Sequence, residues 1–124
     1  MSCLLYNNER RIMEKKDFLS ESEVDKAVEF LRDSSEESAK YRAEKIYLEE
    51  YRKSLKAMIM KEHLDKSVSA QEREAYADPR YLSHLKNIQF AIERDTKQLF
   101  LRESAKAKID AWQTKSANLR SIKI

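Results

Sequence analysis

Not one of the 124 residues is glycine, and only one, Pro79, is proline. Glycine is the usual residue at left-handed helix ends, in tight hairpin turns and where backbone wraps a phosphate. A chain with none is poorly suited to β-hairpin sheets, dinucleotide-binding turns and P-loops. What remains is helix joined by glycine-free connections. The composition agrees. Charged residues make up 38% and apolar residues 41%, the balance of long helices or coiled coil. The length fits one domain.

Local signals place the helices. Residues 1–19 show no clear period and read as a flexible arm or short docking helix, ahead of a single helical domain at 20–124. Ser20 and Glu23 have capping-box spacing, in which the hydroxyl takes a free backbone N–H and the carboxylate reaches back. Val24, Ala27, Val28 and Leu31 then form one helical stripe. Ser34 and Glu37 repeat the capping spacing, so a helix over about 20–65 is expected to kink near 34. Leu48, Tyr51, Leu55 and Met58 follow the alternating three-four spacing of a coiled-coil seam.

Ser69 and Glu72 predict a short connecting helix over about 70–77. Asp78-Pro79 predicts a new start, because the carboxylate can cap and proline lacks only an N–H that would be unpaired there. A helix over about 79–119 carries Leu82, Leu85, Ile88, Ile92, Leu99, Ile109, Trp112 and Leu119; Arg102 and Lys106 fall near its weakest stretch. The predicted fold is all-α: a long antiparallel, coiled-coil-like helical hairpin with a short connecting helix, completed by oligomerisation because two helices make a thin core. Folding back near the connector would set Leu55 opposite Ile88 and Gln89, and Leu31 opposite Trp112.

Charge and cysteine usage narrow the setting. Residues 20–39 hold seven acids against two bases, and residues 102–124 six bases against two acids. An antiparallel hairpin would lay these ends side by side, which accounts for the split without any ligand. Cys3 is the only cysteine, so no internal disulfide is expected and a reducing compartment suits the chain. The apolar run at Leu4-Leu5 is too short for a secretory signal, and no stretch approaches a membrane span. A cytoplasmic protein with no membrane contact is expected.

Nothing in the sequence assembles into a reactive centre. His63 and His84 are the two histidines, and neither belongs to a His-x-x-x-His or Glu-x-x-His pattern. The serines fall at caps or on helices, where local backbone bonds occupy them. Adjacent acids such as Glu49-Glu50 point apart on a helix. No catalytic, metal or cofactor role is expected.

Binding is the better prospect. Lys45, Arg52, Lys53 and Lys56 lie along the middle helix with Tyr47 and Tyr51, and basic side chains beside aromatic faces suit single-stranded nucleic acid. Lys106, Lys108, Lys115 and Arg120 form a second basic group. The plainer alternative is that the tyrosines close a helix seam and the lysines pair with acids one turn away, as Glu49 would with Lys53.

Three stretches carry a family resemblance: Tyr47-Leu48-Glu49-Glu50-Tyr51-Arg52-Lys53 onward to His63, Ala70 through Tyr81, and Ala107 through Arg120. Together they resemble small helical proteins encoded by tailed bacteriophages in recombination and replication gene cassettes. More coarsely, by size, helicity and basic character, that group is similar to the UvsY recombination mediators. The resemblance implies a non-enzymatic accessory protein, in the bacterial cytoplasm, that binds single-stranded DNA as a homo-oligomer. It also implies contact with a recombinase or single-strand-binding protein. A helical adaptor or inhibitor of a host protein, with no nucleic-acid contact, is the alternative.

Overall fold

The computed structural model describes Asp17 and residues 19–122. The expected arm at residues 1–19 and Cys3 therefore fall almost wholly outside the described residues. Within them the chain is helical and has no strand. Helix α1 spans Glu21–Asp33, α2 Ser35–Met60, α3 Val68–Ala77 and α4 Pro79–Ile122, with one 3-10 turn at Lys61–His63. No described residue has a positive φ angle, so every connection is made without the conformations that favour glycine.

Side chains set the helix ends. The Ser20 hydroxyl accepts from the Glu23 backbone N–H at 3.3 Å, the first half of the expected capping box. The Glu23 carboxylate faces Lys26 and Lys108. The helix expected over 20–65 is broken at Ser34, whose backbone N–H still bonds the Phe30 carbonyl. α3 starts two residues earlier than predicted, because Ser67 and not Ser69 is its cap, accepting from the Ala70 N–H at 3.3 Å. The Gln71 side chain adds a bond to the Lys66 carbonyl at 2.9 Å. Asp78 ends α3 and starts α4, accepting from the Arg80 N–H at 2.8 Å, with Pro79 at the first helical position.

The chain divides into two compact units. One runs Ser35–Leu99 and contains α2, the 3-10 turn, α3 and the first part of α4. Its core is Ile59, Ala75 and Tyr81, with Leu55 and Met60 packed against them. Ile59 and Ala75 are fully buried. Tyr76 meets Tyr81 edge to face at 5.4 Å. Contacts between α2 and α4 run in opposite order along the chain: Glu44 with Arg94, Lys45 with Asp95, and the Leu48 carbonyl with His84.

The other unit pairs α1 with α4 from Phe100 onward. Val24 and Ala27 on α1 and Ala105 on α4 are buried. Arg102 donates to the Leu31 carbonyl at 2.8 Å and the Ser34 hydroxyl at 2.7 Å. It thus brings a side-chain donor to a carbonyl in the last turn of α1. Lys108 reaches Glu23 at 3.5 Å. The residue at Leu31 is therefore Arg102 rather than the expected Trp112, a shift of nearly three helical turns.

The facing stripe of α4 also differs from expectation. Tyr81, His84, Ile88, Ala91, Asp95 and Gln98 are buried, at three-four spacing. Of the residues expected inside, Ile88 is buried, but Leu82 is 54% exposed, Leu85 37%, Ile92 39% and Leu99 40%, one residue further along than the buried stripe. The connector supplies the reason. Tyr81 is fixed inward between Ile59, Ala75 and Tyr76, and burying a tyrosine ring is a large gain. One residue is about 100° of helix rotation, so fixing Tyr81 turns Leu82 outward. On α2, Tyr51 and Met58 are likewise exposed while Ile59 is buried.

Candidate interaction surfaces

The basic residues singled out in the sequence meet different fates. In the Ser35–Leu99 unit, Lys45 lies 3.3 Å from Asp95 and Lys53 3.3 Å from Glu50. Lys56 donates to the Tyr76 hydroxyl at 2.8 Å, lies 3.5 Å from Glu72 and sits over the Tyr76 ring. The hydrogen bond to Tyr76 holds the Lys56 ammonium above its ordinary pKa. Arg52 is exposed. Three of these four cations thus face a carboxylate, which lowers the positive potential they offer a phosphate. In the other unit Lys108 pairs with Glu23, whereas Lys106, Lys115 and Arg120 are exposed.

Tyr47 and Tyr51 stack with ring centres 6.0 Å apart and planes at 19°. Tyr47 is well exposed, so the pair does not close the seam. Tyr51 meets His84 edge-on at 5.4 Å. His84 is buried, and its Nε2 donates to the Leu48 carbonyl at 2.7 Å. Beside these rings lies an open groove of about 460 Å³, lined by Tyr51, Leu55, Pro79, Arg80, Ser83, His84 and Asn87.

Arg80 is not available to an anion in that groove. Its guanidinium makes a two-pronged pair with Glu62, at 3.0 and 2.5 Å, and donates twice to Asp78, at 3.0 Å each. Those bonds, first to Glu62 and then to Asp78, hold the guanidinium above its ordinary pKa. They hold the Glu62 and Asp78 carboxyls below theirs. Two carboxylates around one guanidinium leave this cluster net negative, so the groove does not suit a phosphate.

A second groove, about 370 Å³, follows the end of α4 along Trp112, Gln113, Ser116, Leu119 and Arg120. Here an indole and an exposed guanidinium line one groove. Among the described residues no group of three His, Cys, Asp or Glu is placed to hold a metal ion, and no helix is long and apolar enough to cross a membrane.

The inside of the Ser35–Leu99 unit holds what the sequence reading overlooked. Asp95 is 9% exposed at its side chain, with Lys45 at 3.3 Å and Arg42 at 4.0 Å. Arg94 covers the Tyr41 ring and reaches Glu44 at 3.3 Å. Tyr41 donates to Glu37, and that bond raises the phenol's pKa. The signal was present: Tyr81, His84, Ile88, Ala91 and Asp95 already repeat at three-four spacing. Large aliphatic residues at the same spacing one position further along, at Leu82, Leu85, Ile92 and Leu99, mask it. No protein-family model matches the chain, and no curated protein or solved structure matches it.

Proposed function

We propose that this protein is a non-enzymatic helical scaffold that acts by binding other proteins through apolar helix faces. In this reading α2 and α4 form an antiparallel hairpin, and copies of the chain associate to complete it. Its partners would be proteins of recombination or replication, such as a recombinase or single-strand-binding protein, as the phage resemblance implies. One observation carries the proposal. Leu82, Leu85, Ile92 and Leu99 stay in water while the chain buries Asp95 and Gln98. A run of large aliphatic side chains at helical spacing suits helix-in-groove or helix-on-helix binding.

A second reading, direct contact with single-stranded DNA, is favoured by the end of α4. Lys106, Lys115 and Arg120 are exposed there, and Trp112 lines the same groove as Arg120. One titration separates the two. A labelled single-stranded oligonucleotide, bare or coated with a single-strand-binding protein, is titrated with this chain at low and moderate salt, and anisotropy is followed. The scaffold reading expects binding to the coated strand that survives moderate salt, and little to the bare strand. Saturable binding to the bare strand that falls steeply with salt would favour the DNA reading and overturn the first.

A further inference from the structure

We infer that the exposed stripe on α4 is the seat of a second copy of this chain, paired antiparallel about a two-fold axis near residues 90 and 91. The inference rests on the self-association proposed above and names the surface that performs it. Two heptad stripes run side by side on this stretch of helix. The inner one is Tyr81, His84, Ile88, Ala91, Asp95 and Gln98, and it is buried. The outer one is Leu82, Leu85, Gln89, Ile92, Thr96 and Leu99, again at alternating three-four spacing. Four of its six members are leucine or isoleucine, and all four are more than a third exposed. Alternating three-four spacing is what lets one helix pack along another. The stripe is about 25 Å long at 1.5 Å per residue, and it lies within the Ser35–Leu99 unit.

Charge selects the occupant and its direction. Laid antiparallel on itself, the stripe sets Leu82 against Leu99 of the other copy, Leu85 against Thr96, and Gln89 against Ile92. The flanking position next to Leu85 is Lys86, and one heptad on, next to Ile92, is Glu93. In an antiparallel helix pair these flanking positions meet each other, so Lys86 of one copy lies beside Glu93 of the other, twice by symmetry. Both side chains are exposed, and neither forms an ion pair with another described residue. A parallel pairing in register would put the Lys86 and Glu93 side chains of the two copies on opposite sides of the seam, where they could not meet. Buried apolar contact supplies the attraction, and the charges supply the direction.

The test uses the full chain in analytical ultracentrifugation from low to high micromolar concentration, with far-UV circular dichroism to verify helicity. The wild type is expected to dimerise, and Leu85→Glu with Ile92→Glu to remain helical and monomeric. The charge variants do not depend on a core change. Lys86→Glu sets a carboxylate beside Glu93 of the other copy, and Glu93→Lys sets a second ammonium beside its Lys86. Each is expected to weaken the dimer on the order of tenfold, as two symmetric pairs turn from attraction to repulsion. The double variant Lys86→Glu with Glu93→Lys is expected to recover wild-type affinity. An assembly indifferent to Leu85→Glu with Ile92→Glu would overturn this surface while leaving self-association standing. Failure of the double variant to recover would overturn the antiparallel pairing. A chain monomeric throughout would overturn both this inference and the self-association it rests on.

Discussion

The two stripes of α4 between Tyr81 and Leu99 lie one residue apart and have opposite characters. The buried stripe contains a histidine, an aspartate, a glutamine and an alanine; the exposed one contains three leucines and an isoleucine. Hydropathy alone would reverse them. What decides burial is what stands opposite. Lys45 and Arg42 face Asp95, the Leu48 carbonyl accepts from His84, and Ile59 and Ala75 receive Tyr81. A polar group can be buried when its partner is built in. An apolar stripe with nothing opposite it among the described residues stays in water.

The sharpest way to break this comparison is to truncate one residue from each side. Ile59 is fully buried, and Ile59→Ala should cost about 2–5 kcal/mol from lost transfer energy and the cavity left behind. That is a large share of a typical domain's ~5–15 kcal/mol. Leu85→Ala on the exposed stripe should cost under about 0.5 kcal/mol in a dilute, monomeric sample. At high concentration its cost should grow, because association stabilises the folded chain by mass action. Thermal melts over a range of concentrations report both. Equal losses from the two variants at every concentration would mean the stripes are not distinguished in solution.

The polar stripe offers a second, smaller test. Asp95→Ala leaves the half-buried Lys45 without its nearest carboxylate and should cost about 1–3 kcal/mol in urea denaturation. Replacing both, with Asp95→Leu and Lys45→Leu, should be neutral or stabilising, since a buried ion pair is often no better than packed hydrocarbon. The double variant should lose definition, because a slip of α4 against α2 would then no longer strand a charge. Broader amide resonances at unchanged helicity would be the sign. A double variant as destabilised as Asp95→Ala would show that the pair contributes stability and not alignment.

Local chemistry made much of this readable before any coordinates. Absent glycine excluded sheets of tight hairpins, Asp78-Pro79 marked the start of α4, Ser20 capped α1, and the serines near 34 marked the break. These depend on neighbours in sequence. The rotation of α4 does not. It follows from Tyr81 meeting Ile59, which lies 22 positions earlier, and no periodicity of α4 alone contains that contact. The same holds for Arg102 at the Leu31 carbonyl, where a charged side chain at a weak point of the seam proved to be a cap for another helix. Of the basic residues, Lys53 pairs with a near neighbour in sequence, though with Glu50 three residues away and not the expected Glu49. Lys45 and Lys56 meet Asp95 and Glu72 through the fold. A lysine on a helix therefore cannot be assigned to a ligand until its tertiary neighbours are known.

The smallest expected effect lies where both stripes begin, at the cluster of Arg80, Glu62 and Asp78. Hydrogen bonds from Arg80 hold both carboxyls below their ordinary values. A carboxyl with a lowered native pKa binds its proton later than the unfolded chain does, so stability rises with pH across that interval. The contribution is complete above about pH 5, beyond the ordinary carboxylate values. It is lost as pH falls through the lowered native ones. All three groups are exposed or only partly covered, so solvent screens them and the effect should be modest. Urea midpoints for the wild type and Arg80→Gln, taken from pH 7 down to pH 3, should converge as the pH drops, because protonation removes what the substitution has already removed. A gap that stays constant over that range would mean Arg80 acts by packing its stem over Pro79 and the start of α4, and that the ion pairs hold nothing there.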